Sequence, residues 1–328
     1  MTEGETWRHW TYARQRLGQA APDPATALRD VIGVYSSHPS APLSLHARSP
    51  GVDAGFAALD VLRLPAMRSS IHLLPRSTAH LPFRALPEPA ARRAYRLRGF
   101  GLSDERFSEL RERVLSVCGG PLTLREIADA VGEDVKGVTG TMTRDGCLVR
   151  VGAEGLRSNA LRYVAYSVPD ADADEALRWL VGEYLRAFGP VRREDAIWWT
   201  GASGARVDGA LASIDTAEVA PGYLLLAEDE ARAGDAPRAS GVDLLPKWDA
   251  YTMGYPAGGR GRFADPDVAD RLYDFRGDGM PVILVDGAAA GTWVLGKRGV
   301  EADWFSAPGP ALLRAFEERA TSVLELVA

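Results

Sequence analysis

A break that recurs 69 residues apart restricts this chain more than any other feature. Gly120-Pro121 is followed by Gly132 and Gly189-Pro190 by Gly201, with 11 residues from proline to glycine in both cases. Proline cannot continue a preceding helix, and glycine closes the next one in a left-handed conformation. Each break follows an amphipathic segment, expected as helices from Ser103 to about Cys118 and over Ala173–Phe188. Thr123-Leu-Arg-Glu126 has the form of a capping box and opens a short helix ending at Gly132. A third helix is expected over Asp134–Asp145, and in the second copy over about Ala205–Ile214. Cys147–Val151 and Arg162–Ser167 alternate as strands around the loop Ala153–Asn159. Three helices and a hairpin, repeated, predict tandem winged helix-turn-helix units.

The 328 residues are 46% hydrophobic, enough to bury a sizeable core and to form two or three domains. No apolar run is long enough to span a membrane, and the acidic first residues do not resemble a secretory signal. Cys118 and Cys147 are too few for a disulfide framework or a four-thiolate zinc site. The expectation is a cytoplasmic protein acting as a monomer. The net charge of −6 is unevenly distributed: residues 1–100 carry +6 and the remainder −12. Arg63, Arg68, Arg76, Arg84, Arg92, Arg93, Arg96 and Arg98 share their stretch with a single acid, Glu88. Such a local field suits a phosphate backbone, although solvated helix faces look the same in sequence. Lys136, Thr139, Thr141, Thr143 and Arg144 on the third helix, with Arg150, Arg157 and Arg162 on the hairpin, add further donors.

Beyond Ala217 the apolar pattern changes to period two. Gly222–Ala227, Pro281–Val285 and Gly291–Leu295 read as strands, closed by an amphipathic helix over Leu312–Val327. Gly258-Gly-Arg260-Gly-Arg262 reads as a flexible cationic loop. Gly291–Lys297 has phosphate-loop spacing, but Arg298 stands where Ser or Thr is required and the interior is bulky strand residues. There is no Gly-x-Ser-x-Gly elbow and no His-Glu-x-x-His, and the five histidines lack companions at metal-ligand spacing. No metal or other cofactor is expected.

Five segments together carry a resemblance: Gly33-Val-Tyr-Ser-Ser-His-Pro-Ser-Ala-Pro-Leu-Ser-Leu-His-Ala-Arg48, Met67–Pro75, Asp195–Gly201, Leu245–Tyr255 and Val285–Trp293. In order and spacing they resemble the winged-helix DNA glycosylases that include AlkZ and YcaQ, over nearly the whole chain. The resemblance implies an α+β fold of winged-helix units in a C-shaped body with a β-rich, barrel-like C-terminal part. The units would be residues 1–100, with the basic helices and the catalytic segment, then 101–168, 169–216 and the β-rich 217–328. It also implies hydrolytic release of N7-alkylated purines from double-stranded DNA, and for members near antibiotic pathways, protection of the producer.

The chain departs from the family at one place. Gln-x-Gln or Gln-x-Asp is expected just after Gly33-Val34, and this sequence has Tyr35-Ser36-Ser37-His38. An N7-alkylguanine is already a good leaving group, so the enzyme needs mainly to place water and stabilise a cationic sugar. Tyr35 and Ser37 hydroxyls can hold the water and His38 can accept its proton. Asp249 can orient a histidine or face the cationic sugar, and His72 can face the lesion or a phosphate. Arg48, Arg68, Arg92, Arg93, Arg96, Arg98, Arg260 and Arg262 complete the expected DNA contacts. All of these residues also have plain structural roles as caps, turns and core pairs. Three functions stay open: a monofunctional glycosylase for bulky N7-alkylguanine, a non-catalytic DNA-binding regulator or lesion shield, and a drug-sequestering protein.

Overall fold

In the computed structural model the two breaks are built by the same local chemistry. The structure describes residues 3–151, 156 and 161–327. Leu122–Thr123 and Val191–Arg192 are short strands, each running directly into a helix, Leu124–Val131 and Arg193–Thr200. Glu126 accepts the Thr123 N–H at 2.7 Å, and Asp195 accepts the Arg192 N–H at 2.9 Å, closing both first turns. Gly132 and Gly201 end the helices at φ +77° each, a left-handed conformation that costs glycine little. The helices Asp104–Val117 and Ala173–Phe188 precede the breaks, and Lys136–Asp145 and Gly204–Leu211 follow them. Ser103 caps the first of these by accepting the Arg106 N–H at 3.1 Å.

Strand pairing then joins what the sequence presents as separate units. Val61–Pro65 and Ile71–Pro75 form a hairpin, as do Leu148–Val151 and Arg162–Ala165. The two hairpins meet where Arg63 pairs with Arg150, making one antiparallel six-stranded sheet with Val34–Tyr35 at one edge and Leu122–Thr123 at the other. Nothing local in the sequence announces this junction. Residues 216–226 pair with Val191–Arg192 in a three-stranded sheet and make no ladder with the strands that follow.

The carboxy-terminal strands, expected as a barrel-like body, form an open four-stranded antiparallel sheet: Val242–Leu245, Val282–Val285, Ala288–Gly296 and Gly299–Trp304. The helix Pro310–Val327 lies against both edge strands, so its apolar face covers the sheet without closure into a barrel. The Gly258–Arg262 stretch is not a free loop. Ala257–Arg262 is a 3₁₀ helix packed on the helix Glu3–Arg14.

Burial divides the molecule into two cores. Leu97, Phe107, Val114, Ile127, Val138, Leu148 and neighbours form one around the first repeat. The other is continuous from Tyr12 to Val327 and includes the helix Ala173–Phe188 and the four-stranded sheet. Among the described residues no helix is long and apolar enough to cross a membrane.

Candidate active site

The hairpin Val61–Pro65/Ile71–Pro75 turns through Arg68 and Ser69, both at positive φ (53° and 58°), a conformation non-glycine residues adopt only when surroundings enforce it. The surroundings are visible. The Arg68 guanidinium lies 4.0 Å from the centre of the Trp198 ring and donates to the Tyr35 hydroxyl. Gly201 passes so close that a Cβ there would stand 3.4 Å from Arg68 Cα. A first-unit hairpin tip is thus seated on the helix of the second repeat copy.

Beside this tip lies a cleft of about 600 Å³ lined by Tyr35, Ser36, Ser37, Ser70, Arg150, Trp248 and Asp278, among others. Tyr35 is held between Arg68 and the His72 ring, 4.5 Å centre to centre, with Trp248 at 6.5 Å in near-parallel orientation. Burial pushes the Tyr35 phenol up against the opposite pull of Arg68, so it stays a neutral hydroxyl at physiological pH. Ser69 lines both this cleft and a second groove of about 430 Å³. That groove is bordered by Arg68, Arg84, Arg92, Arg93, Arg144 and Arg206 against only two acids, Glu88 and Asp145.

The structure brings Tyr35 and Ser37 to the cleft and leaves other predicted residues elsewhere. His38 follows Ser37 but is not part of the lining. Its ring packs edge-on against Phe56 at 5.6 Å, and burial, then Arg63, holds its pKa below the usual histidine value. His72 is buried under Tyr35, hydrogen-bonded through Nδ1 to the Ser70 carbonyl at 3.0 Å, with its pKa pushed down to about 4 by burial. It is a neutral packing partner of Tyr35 and has no face toward a phosphate.

Asp249 and Arg48 correct the sequence reading most clearly. Both side chains are 0% exposed. Arg48 donates to both Asp249 oxygens at 2.8 and 2.7 Å, Ser44 Oγ adds a 2.6 Å bond, and Asp249 caps Ala250–Met253 through the Tyr251 N–H at 2.9 Å. Neither can reach a sugar or a phosphate. Arg262 is likewise enclosed, donating to the Phe188 and Pro190 carbonyls at 3.2 and 2.9 Å and to Tyr255 Oη at 3.1 Å. Arg260 lies over the Tyr273 ring at 3.3 Å. In the helix Ala90–Gly99, Arg93 bonds Asp145 and Asp104 while Arg96 bonds Glu88 and Thr141, which docks the helix on Lys136–Asp145. Arg92 and Arg98 are exposed and form no ion pair among the described residues. Thr139, Thr141 and Thr143, expected as base-reading donors, point inward and bond carbonyls of their own helix. Arg157 lies outside the described residues.

The family model for AlkZ-like DNA glycosylases matches residues 28–326. The chain belongs to that family. Among solved structures it is similar to the DNA glycosylase AlkZ of Streptomyces sahachiroi, with a TM-score of 0.79 at 20% identity over 99% of this chain and 96% of that one. No curated protein matches.

Within an AlkZ-like glycosylase the cleft at Tyr35–Ser37 falls where the resemblance expects the glutamine motif. The residue that sequence reasoning missed is Asp278, the one acid among the lining residues. It is carried by a turn in which Asp274 accepts the N–H groups of Arg276 and Asp278 at 2.9 and 3.1 Å and Gly277 adopts φ +82°. The turn reaches the cleft because the Trp248 N–H bonds the Gly279 carbonyl at 3.0 Å. An Asp-x-x-Gly turn is legible in sequence, but its meeting with Tyr35 is not. Among the described residues no group of three or more His, Cys, Asp or Glu side chains is placed to hold a metal ion.

Proposed function

We propose that this AlkZ-like glycosylase hydrolyses the N-glycosidic bond of N7-alkylated guanine in duplex DNA, with bulky adducts such as those of DNA-alkylating antibiotics as its substrates. The observation that carries the reading is that an arginine-lined groove adjoins, at Ser69, a cleft presenting Tyr35 and Ser37. Backbone phosphates suit the groove, where Arg92 and the exposed Arg98 beyond it supply charge, and the lesion nucleotide suits the cleft. On this reading the repeated helix–helix–helix–hairpin units act as winged helices around a concave DNA face, and the protein works as a monomer.

The chemistry asks little of the protein. A water oxygen bonds to C1′, the C1′–N9 bond breaks, and its electron pair neutralises the purinium ring. Tyr35 and Ser37 offer hydroxyls to hold the water, with Arg68 and His72 fixing the Tyr35 ring. A proton acceptor is also needed, and two groups adjoin the site, His38 and Asp278. The loss of the family's glutamines favours one other reading, a DNA-binding protein without catalysis.

A labelled duplex carrying 7-methylguanine or a bulky N7 adduct, treated with the protein and then with alkali, separates these. Strand breaks at the lesion, reduced in Ser37→Ala, support the glycosylase. Tight binding to both duplexes with no breaks in either refutes it and leaves the binding protein.

A further inference from the structure

Replacement of the Gln-x-Gln or Gln-x-Asp motif by Tyr35-Ser36-Ser37 removes from the strand edge the groups expected to handle the attacking water. The lining of the cleft also includes a carboxylate, Asp278. We infer that Asp278, delivered by the Asp274–Gly279 turn, is the catalytic residue that accepts the water proton and stabilises the cationic sugar. This rests on the glycosylase reading and deepens it.

Five observations converge. Asp278 is the one acid lining the cleft, and it shares that lining with Tyr35 and Ser37. Its side chain forms no hydrogen bond and no ion pair among the described residues, in a protein where Asp145, Asp195, Asp229 and Asp249 are each held by arginine. The turn that presents it is rigid: Asp274 N–H bonds the Asp278 carbonyl at 3.0 Å, Gly277 N–H bonds the Asp274 carbonyl at 2.8 Å, and Lys247 pairs with the Asp274 carboxylate at 3.7 Å. The same turn is clamped to Trp248, which itself faces Tyr35. The Asp278 charge also contributes to raising the Tyr35 phenol, so the two groups feel one another.

His38 is the less suitable acceptor. Its ring packs on Phe56 outside the lining, and its Nε2 is shielded from solvent. A carboxylate serves twice where a histidine serves once. It takes the proton as the C1′–O bond forms, and its negative charge opposes the positive charge that develops on the sugar. The balance closes without a co-reactant: water and alkylated nucleotide give an abasic sugar and a neutral alkylguanine, with the proton on Asp278.

Asp278→Asn keeps the side-chain shape and breaks no internal bond, so it tests chemistry with the fold intact. The assay is single-turnover release of 7-methylguanine from a duplex, alongside binding to the same duplex. We expect the rate of Asp278→Asn to fall ~10²–10⁴-fold, the range for a lost general base. Affinity should be unchanged or tighter, because a negative charge facing DNA is removed. The shape of the pH–rate profile should differ between wild type and variant, which a merely structural role would not produce. His38→Ala should retain a rate within about tenfold of wild type. Asp278→Asn within about threefold of wild type, or a variant whose rate and affinity fall together, overturns the assignment and leaves the glycosylase reading standing. A wild type that releases no base from either the 7-methylguanine duplex or one with a bulky N7 adduct refutes both.

Discussion

Removing the Asp249 side chain should cost the fold more than it costs the chemistry. Asp249→Ala deletes four accepted hydrogen bonds, two from Arg48, one from Ser44 and one from the Tyr251 N–H. It also strands the Arg48 guanidinium, which is 0% exposed and forms an ion pair with no other carboxylate among the described residues. An uncompensated buried charge of this kind costs about 3–5 kcal/mol. At roughly 2.1 cal/mol/K of unfolding entropy per residue, a chain of this size loses about 4–7 °C in Tm. Urea unfolding followed by tryptophan fluorescence, with thermal melts, gives both numbers. The companion variant Arg48→Met/Asp249→Leu removes both charges and should recover most of the loss, and with the single variants Arg48→Met and Asp249→Leu it closes a cycle with a coupling of a few kcal/mol. Base release per folded molecule should stay within a few-fold of wild type. If Asp249→Ala unfolds within about 1 kcal/mol of wild type while base release collapses, the pair is not the structural brace described here and the reasoning from burial is wrong.

The His72 ring makes stability depend on acidity. Its folded pKa of about 4 lies below the 6.5 of an exposed histidine, so between these values the unfolded chain binds a proton that the native state refuses. Stability therefore falls as pH drops from about 6.5 to 4, by up to about 3 kcal/mol, and is insensitive to this group above pH 7. Urea midpoints at pH 7.5 and 5 should show it, and His72→Gln should flatten that part of the slope. An equal slope in the variant would contradict the assignment. Gly132→Ala and Gly201→Ala offer a second check, on the repeat itself. Both place a side chain at φ +77°, and neither Cβ meets a contact closer than 3.4 Å. Each should cost about 1–2 kcal/mol, differing by less than about 0.5. A much larger loss for Gly201→Ala would mean that the Arg68 turn is seated more tightly than this.

The parts of the fold visible in the sequence are those specified within a few residues. The Gly-Pro breaks, the Thr123 and Ser103 caps and the closing glycines are local chemistry, and the helices they bound appear within two residues of expectation. The basic stretch was visible, but its use was not. Arg93 and Arg96 are occupied by Asp145 and Glu88, and sequence proximity cannot show that Asp145 comes to lie beside Arg93. Asp249 and Arg48 looked functional because polar residues in a distinctive motif are usually exposed. Their pairing spans 201 positions and turns both inward. The cleft follows the same rule. Tyr35 and Ser37 are marked by where they stand in the family's order of segments, while Asp278 is brought to the same cleft by the Trp248–Gly279 contact.

The strand that carries Tyr35 is two residues long and is paired on one side only, with Leu73 and His72. A central strand answers to two neighbours, so changing its side chains disturbs both ladders and the packing on both faces. At the rim of a sheet that constraint is halved; the Ser36 N–H still bonds the Ile71 carbonyl at 3.1 Å, and Ser37 leads away from the strand toward the helix Ser40–His46. Tyr35 is tied to Arg68, His72 and Trp248, so Ser37 is the position freest to change while the scaffold behind it holds. A lineage can exchange one set of water-holding groups for another there by single substitutions, and the surrounding architecture registers little of the change.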